Sequence, residues 1–386
     1  MRQQRNYRLI VIIAFLQGLV FYAPVATAYR LRYGITVSEL FLIESLSWIL
    51  MIVLEVPFGV LADRFGQRRA LIAGNLLFAL SKLVFVAASG FALFLAERVL
   101  LALALAALSG AAEAFLSASI APEDQERRFG HWNAAGTAGL LAAALVSPLL
   151  YGRSFRLAAA ATVPPYLAAV ALSLFLIEPG GTGRTEAARI AVAPALRAAL
   201  RDRGMLGLLL VGALMGEFAQ AATVFLSQLQ YARSGIAQAW YGVLFAAIQA
   251  ASLASAAAGG LAKAAGRRNV LLAAVGLSFL CALALTLSTN AFVSIAALLA
   301  TAASVAIFRP LFTVVQVERL SRAGRATALS LNAMIVEGAS AAVNLGEGPA
   351  AQVSLALGFG VFAAGLGLVF ALSPFIFRAA GPEGGF

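Results

Sequence analysis

Six glutamates of this sequence lie inside long apolar runs, where a charged side chain is costly. They are Glu44, Glu55, Glu97, Glu113, Glu217 and Glu337. On insertion scales a charge at the middle of a bilayer costs about 2.5–3.5 kcal/mol, so each residue requires a functional or structural reason. Since burial disfavours the charged form of a carboxylate, such a group can bind a proton and release it when water arrives. Glu217 and Glu337 are the first candidates for this exchange, because no basic residue adjoins either in sequence.

The spacing of neighbouring polar residues predicts that some of these acids face a wet interior. Glu217, Gln220 and Gln228 lie at i, i+3 and i+11, which gives one polar helix face. Ser330, Glu337 and Asn344 repeat every seven residues along a second helix. Further candidates for a substrate or proton site are Gln17, Tyr22, Glu44 and Asn332.

Other charges within the apolar runs have both a functional and a structural interpretation. Arg309 precedes a proline and could bind an anion or pair with a glutamate. Glu55 could bind a ligand or join two helices. Glu97 is expected to be a solvated or locally paired acid, and Lys82 is expected to snorkel to the membrane surface.

The composition is that of a membrane protein. Of 386 residues, 62% are hydrophobic and only 12% are charged, and the mean hydropathy is +0.91. A soluble domain carries about 25% charged residues. The net charge of +11 would suggest nucleic acid in a soluble protein, but here topology explains the basic residues better. With one cysteine and one histidine, an internal disulfide is excluded and a zinc site is not expected.

Apolar runs predict twelve membrane-spanning helices, since a span needs about 20 apolar residues. We place them at 8–28, 38–62, 69–89, 92–118, 131–151, 155–178, 205–229, 237–262, 268–288, 291–318, 325–347 and 351–377. The first is interpreted as a membrane helix rather than a signal peptide, because no clear cleavage site follows it. The fold class is therefore an all-α polytopic membrane protein.

One long connection divides the chain into two six-helix halves, residues 1–178 and 205–386. The connection, 179–204, is rich in arginine and opens with Glu178-Pro179-Gly180-Gly181. Its apolar residues recur on one helical face, which predicts a short helix on the membrane surface. A disordered basic linker is the alternative.

The basic residues predict the orientation. If the N-terminus is cytoplasmic, twenty of the 28 lysines and arginines fall in cytoplasmic segments and five in outer ones. The other three are Lys82, Arg98 and Arg309, inside helices. We therefore expect a protein of the cytoplasmic membrane with both termini in the cytoplasm.

The loop after the second predicted helix carries a motif of small and charged residues. Its members are Gly59, Asp63, Arg64, Gly66, Arg68 and Arg69. This loop resembles the signature Gly-x-x-x-Asp-Arg-x-Gly-Arg-[Arg/Lys] of the major facilitator superfamily. The resemblance implies a gating role in which Asp63 meets the N-terminal end of the eleventh helix, where a helix dipole favours a negative charge. Glu113 of the fourth helix could pair with Arg64 or Arg69, or take part in coupling.

The second half contains a related loop sequence at 259–268. Gly59, Gly66 and Arg68 correspond to Gly259, Gly266 and Arg268 at a constant offset of 200, but a lysine replaces Asp63. The repeated loop sequence indicates a duplicated architecture, which has its substrate site between the two halves. The lost aspartate predicts that only the first loop makes the acid-to-helix contact.

The resemblance covers the whole chain and points to bacterial members that resemble drug or multidrug exporters. Arg98 matches the helix-4 arginine associated with proton coupling in the family, and a structural role is equally open. The fifth helix holds Gly136 and Gly139 but lacks the complete glycine pattern of proton-driven drug antiporters. That departure weakens the antiporter assignment.

The sequence therefore predicts a monomeric secondary transporter that works by alternating access. Its expected partners are a small molecule, protons and the lipid bilayer, with no cofactor, metal or nucleic acid. Proton-coupled export of amphipathic or drug-like compounds is the first hypothesis. An importer or uniporter of a small metabolite is the alternative, and a non-transporting sensor or scaffold is the third. The sequence has no phosphate-binding loop for ATP and no nucleophile–base arrangement for an enzyme.

Overall fold

The computed structural model describes residues 2–179, 202–320 and 325–379. Their regular structure is entirely helical. Twelve spans in this part of the chain are long and apolar enough to cross a bilayer, from Gln3–Arg32 to Leu355–Phe377. The predicted fold class, an all-α polytopic protein with twelve such helices, is confirmed.

The first eight α-helices occupy the N-terminal half of the sequence. They are α1 (Arg2–Gly18), α2 (Ala26–Arg32), α3 (Val37–Phe65), α4 (Gln67–Ala87), α5 (Gly90–Leu108), α6 (Ala111–Ala118), α7 (Gln125–Tyr151) and α8 (Phe155–Ser173). The predicted fourth helix is two helices, α5 and α6. Gly110 adopts a φ of +69° between them, a left-handed conformation that glycine tolerates.

Eight further α-helices follow. They are α9 (Arg203–Gln220), α10 (Ser227–Arg233), α11 (Tyr241–Ala251), α12 (Ala258–Ala265), α13 (Arg267–Leu287), α14 (Ala291–Arg319), α15 (Arg325–Val353) and α16 (Leu355–Ala379). A π-helical turn at Ala221–Phe225 separates α9 from α10, and a 3₁₀ segment at Ser252–Ala257 separates α11 from α12. The predicted seventh and eighth helices are thus interrupted within their spans.

The chain forms two compact units by its contacts. One comprises Met1–Ile35, Leu46–Ala188 and Ala239–Ala246, and the other Thr36–Ser45, Arg189–Gln238 and Ala247–Phe386. The start of α3 therefore groups with the C-terminal helices, and the start of α11 with the N-terminal ones. The predicted surface helix in 179–204 falls on 180–201, outside the described residues.

Local signals explain where several helices begin. Thr36 and Glu39 form a reciprocal capping box at α3, with the Thr36 amide donating to the Glu39 carboxylate at 2.7 Å. Asp202 caps α9 by accepting from the Met205 amide at 3.0 Å. The Asn290 side chain accepts from the amides of the first turn of α14.

Candidate functional site

The two duplicated loops have the same local backbone. Gly66 precedes α4 with a φ of +91°, and Gly266 precedes α13 with a φ of +82°. Arg68 donates to the Leu176 carbonyl at 2.6 Å, just beyond the end of α8. Arg268 donates to the Pro374 carbonyl at 3.2 Å, near the end of α16. In each unit, the repeated arginine therefore hydrogen-bonds to a backbone carbonyl near the end of the last helix of that half.

Glu178 gives the first loop a contact that the sequence did not indicate. Its carboxylate oxygens accept from the Gln67 and Arg68 amides, each at 3.0 Å, at the start of α4. A carboxylate at a helix N-terminus satisfies free amides and complements the helix dipole. Arg64 lies over the Phe65 ring, and Arg69 is exposed.

The predicted gating contact of Asp63 is not described by the structure. The side chains of Glu55 and Asp63 lie outside the described part of the chain, as do those of residues 325–327, and the surroundings of Gly59 are likewise not described. The role of these residues stays a prediction.

In the second unit, three glutamates distant in sequence come together. Glu217 of α9 is 2% exposed, Glu44 of α3 is 1% exposed, and Glu347 of α15 is fully buried. The Glu44 and Glu347 carboxyls are both within electrostatic range of Glu217. Glu217 therefore has two further buried carboxyl groups near it, and buried acids within membrane spans are candidates for an ion pathway.

Hydrogen-bonding groups of α15 border this carboxylate cluster. Ser340 and Asn344 lie beside the Glu217 carboxyl. Ser340, Asn344 and Glu347 are spaced i, i+4 and i+7, so they share one face of α15. Neither oxygen of Glu347 has a hydrogen-bond partner among the described residues. No ion pair with a basic side chain is formed by Glu217 or Glu347 within the described ranges.

Glu347 is the functional candidate that the sequence analysis missed. It was at the very end of the predicted span, 325–347, whereas α15 continues to Val353. Its carboxyl packs against α16, where a Cβ on Gly358 would lie 2.7 Å from Glu347 Oε1. The signal that could have found it is the Ser340, Asn344 and Glu347 spacing.

Two other predicted residues of α15 differ in burial. Glu337 is half-buried. Asn332 is buried, and its amide donates to Gln316 Oε1 at 3.0 Å, which gives it a structural partner in α14. Along the seven-residue repeat, Ser330 is exposed, Glu337 is half-buried and Asn344 is buried, so only the last member is buried beside the cluster.

In the first unit, the predicted polar residues fall in two places. Gln17 and Glu113 line a cavity of about 380 Å³, where the Gln17 amide donates to Asn75 Oδ1 at 2.6 Å. Glu113 is exposed, and its expected ion pair with Arg64 or Arg69 is absent from the described residues. Arg98 is half-buried in α5.

Tyr22 belongs to an aromatic cage around Lys82. The Lys82 ammonium donates to the Tyr22 hydroxyl at 3.0 Å, and it lies 4.9 Å and 5.2 Å from the centroids of the Phe78 and Tyr166 rings. Only 4% of Lys82 is exposed. The expectation that Lys82 snorkels is wrong, because cation–π contacts and one hydrogen bond hold the ammonium inside the protein.

Glu97 also differs from its expectation as a solvated or locally paired acid. It is fully buried and forms an ion pair with Arg30 at 3.4 Å, 67 residues away in sequence. Arg30 also lies over the Phe85 ring, 5.2 Å from its centroid.

The remaining two candidates, Gln220 and Arg309, line one cavity of the second unit. Its volume is about 820 Å³, and helices α9, α11 and α14 contribute to its wall. Arg309 is exposed and forms no ion pair with any described residue.

Comparisons with solved structures show the same fold across almost the whole chain. The nucleoside transporter NupG is 14% identical with a TM-score of 0.81, and the match covers 97% of this chain and 99% of that one. The D-xylose-proton symporter is 14% identical with a TM-score of 0.74, and the match covers 99% of each chain. A bacterial homologue of the human lysosomal transporter Spinster is 16% identical with a TM-score of 0.75, covering 98% and 97%.

Sequence comparison identifies the family. No curated protein matches the sequence. The sequence model of the Major Facilitator Superfamily, however, matches residues 9–343. This match spans most of the chain and agrees with the twelve apolar helices and the loop at Gly59–Arg69, so the protein is a multi-pass membrane protein that belongs to the Major Facilitator Superfamily.

Proposed function

We propose that this protein is a proton-coupled secondary transporter that exports amphipathic or drug-like compounds across the cytoplasmic membrane. The two six-helix halves, 1–178 and 205–386, alternate in their access to the two sides, as repeat-built transporters do. Both termini face the cytoplasm in this proposal, and the monomer is the working unit.

The observation that carries the proton-coupled part is the buried carboxylate cluster of Glu44, Glu217 and Glu347. Intramembrane carboxylates are costly and mark ion pathways. Glu217 and Glu347 lie close to further acids instead of basic partners among the described residues. Such groups exchange protons when a conformational change alters their access to water. The proton site has four further, weaker candidates, namely Glu337, Glu113, Arg98 and Glu55.

Flux in proteoliposomes under an imposed pH gradient tests this function. An antiporter drives its substrate into the acidic compartment, whereas a symporter drives it into the alkaline one. A panel of amphipathic acids, bases and neutral compounds is compared with protein-free liposomes, which correct for passive distribution of weak acids and bases. Gradient-driven accumulation in the acidic compartment supports export.

Two variants make the test specific. Glu217→Gln should abolish gradient-driven accumulation while leaving exchange of substrate between two equal pools intact, because exchange requires no proton transfer. Glu318→Gln changes a glutamate that pairs with Arg267 outside the cluster and is the matched control. Full gradient-driven flux in Glu217→Gln would contradict the assignment of this residue.

A proton-coupled importer is the second candidate. The fold similarity to a D-xylose-proton symporter favours it. Accumulation in the alkaline compartment would establish it in place of export.

A further inference from the structure

We infer that the cavity at Arg309 binds the acidic group of an amphipathic organic compound. This inference rests on the proposed function and names the chemical class of its substrate. The cavity lies wholly within the second unit, and its volume of about 820 Å³ falls in the range of small-molecule sites, about 300–1,000 Å³.

The charge of the residues that line the cavity favours a ligand of negative charge. Arg309 is the one charged residue among the described residues that line it. Its guanidinium forms no ion pair with any described residue. Arginine presents a planar set of donors that matches a carboxylate or a related anion. A cationic ligand would find no compensating acid in the described part of this wall.

The neutral polar residues supply further donors. Gln220 and Gln249 line the same cavity, and both side chains are half-buried. The hydroxyls of Thr223 and Ser252 donate to backbone carbonyls four residues earlier in the chain, at 2.7 Å and 3.4 Å. The two amides and Arg309 are therefore the groups best able to donate to an anion.

The apolar part of the wall indicates an organic ligand rather than an inorganic anion. Val224, Leu253 and Val305 line the cavity beside the polar groups. An inorganic anion would leave this apolar surface uncovered. An amphipathic acid would cover it with its hydrocarbon part and present its charge to Arg309.

Helix irregularities converge on this cavity from three sides. The π-helical turn at Ala221–Phe225 contributes Thr223 and Val224, and the Leu226 amide that follows it donates to the Ala221 carbonyl at 2.7 Å. The 3₁₀ segment at Ser252–Ala257 contributes from the span that follows. Both kinds of irregularity recur at functional sites and hinges.

The third irregularity is Pro310 within α14. Proline lacks the amide that would bond to the carbonyl four residues earlier, which is that of Ala306, and both residues line the cavity. Without that helical donor, the Ala306 carbonyl can accept a hydrogen bond from a hydroxyl or amide of the ligand. Irregular backbone within a membrane span is tolerated where it lines a cavity.

The depth of Arg309 distinguishes a small molecule from a lipid headgroup. Arg309 precedes Arg319, the last residue of α14, by ten positions, which corresponds to about 15 Å along the helix axis. That is about half of the hydrocarbon thickness of a bilayer. A headgroup phosphate lies at the membrane surface and would not reach this guanidinium.

Binding of three amphiphiles of matched size tests the inference. The full chain in phosphatidylcholine nanodiscs is titrated calorimetrically with phenylbutyrate, phenylbutanol and phenylbutylamine at neutral pH. We expect the acid to bind at least about tenfold more tightly than the alcohol and the amine, since a hydrogen bond to a charged group contributes more than one between neutral groups. Equal affinities, or no binding of the acid, would overturn the inference.

Substitutions locate the preference. Arg309→Gln should remove the preference for the acid and leave alcohol binding unchanged, and Arg309→Lys should retain part of it. Arg267→Gln, which removes an arginine paired with Glu318 elsewhere in the unit, is the control and should bind like the wild type. If Arg309→Gln keeps the full preference, the site is not at Arg309.

Two further arms separate this inference from other outcomes. Weakening of acid binding by about tenfold on addition of phosphatidylglycerol, persisting at a salt concentration that screens the surface charge, would show that a lipid headgroup occupies the site, against the inference. Binding is measured without a pH gradient. A protein that prefers the acid but shows no gradient-driven flux would retain the site and contradict the proposed transport.

Discussion

The two units hold their buried charges in opposite ways. In the first unit, Arg30 and Glu97 form an ion pair at 3.4 Å, and Lys82 is enclosed by aromatic rings. In the second unit, Glu217 and Glu347 are buried next to other acids, with no basic ion-pair partner among the described residues. Compensated charges favour a fixed structure, whereas uncompensated carboxylates favour proton exchange. Under the proposed function, buried charge therefore serves mainly structure in the first unit and proton coupling in the second.

This difference arises on a common scaffold. Gly66 and Gly266 have similar positive φ values, and Arg68 and Arg268 bind carbonyls near the ends of α8 and α16. The duplicated loops therefore kept their backbone and their arginine while the helix interiors diverged. Comparable substitutions in the two units can break or sharpen this comparison.

The largest expected loss of stability comes from breaking the ion pair between Arg30 and Glu97. Glu97→Gln should lower stability by about 3–5 kcal/mol, because it leaves the Arg30 guanidinium buried without its counter-charge. Glu347→Gln should be neutral or stabilising, because it removes a buried acid that has no basic partner among the described residues. Thermal unfolding in detergent, followed by size-exclusion chromatography, measures both. Similar losses of stability in the two variants would contradict the proposed difference between the two units.

A middle-sized effect is expected where helices approach each other. A Cβ on Gly139 of α7 would overlap the Phe15 carbonyl oxygen of α1, whereas a Cβ on Gly216 of α9 would meet no described atom within 4 Å. Gly139→Ala should therefore destabilise the protein by about 1–3 kcal/mol, as overpacking does. Gly216→Ala is the matched control and should fold normally in the same unfolding assay. Tolerance of Gly139→Ala would show that α1 and α7 can separate without loss of stability.

The smallest effect is expected at the loops. Glu178→Ala removes a carboxylate that accepts from two first-turn amides of α4 and should lower stability by about 0.5–2 kcal/mol. In the second loop, the Asn269 side chain donates to the Ala265 carbonyl at 2.9 Å instead of accepting from the first-turn amides of α13. Asn269→Ala should therefore destabilise the start of α13 less than Glu178→Ala destabilises the start of α4. Hydrogen exchange of the Gln67 and Arg68 amides measures the first loop directly, and unchanged protection would contradict the capping role.

Most of the fold could be predicted from the sequence, because each apolar run is long enough to span a bilayer on its own. The interruptions at Gly110, at Ala221–Phe225 and at Ser252–Ala257 could not, since they lie within runs of uniform hydropathy. Backbone irregularities of this kind depend on the neighbouring helices rather than on local composition.

The candidate site was predicted in part. Glu217 and Glu44 stood out because a glutamate in an apolar run is rare, and the structure places both in one buried cluster. Arg309 and Gln220 likewise share a cavity. Asn332 was also a predicted candidate, yet its side-chain amide donates to Gln316 Oε1. Pattern alone does not distinguish a satisfied polar residue from one that is available to a ligand.

The sequence by itself determined the number of spans, the duplicated loops and the rarity of the intramembrane charges, because these follow from local hydropathy and spacing. Only the tertiary structure decided which charges are compensated. Glu97 meets Arg30 and Lys82 meets Tyr166 across 67 and 84 residues of sequence, while Glu217 and Glu347 meet each other across 130. Electrostatic compensation acts over a few ångströms in space, so it depends on which helices pack together.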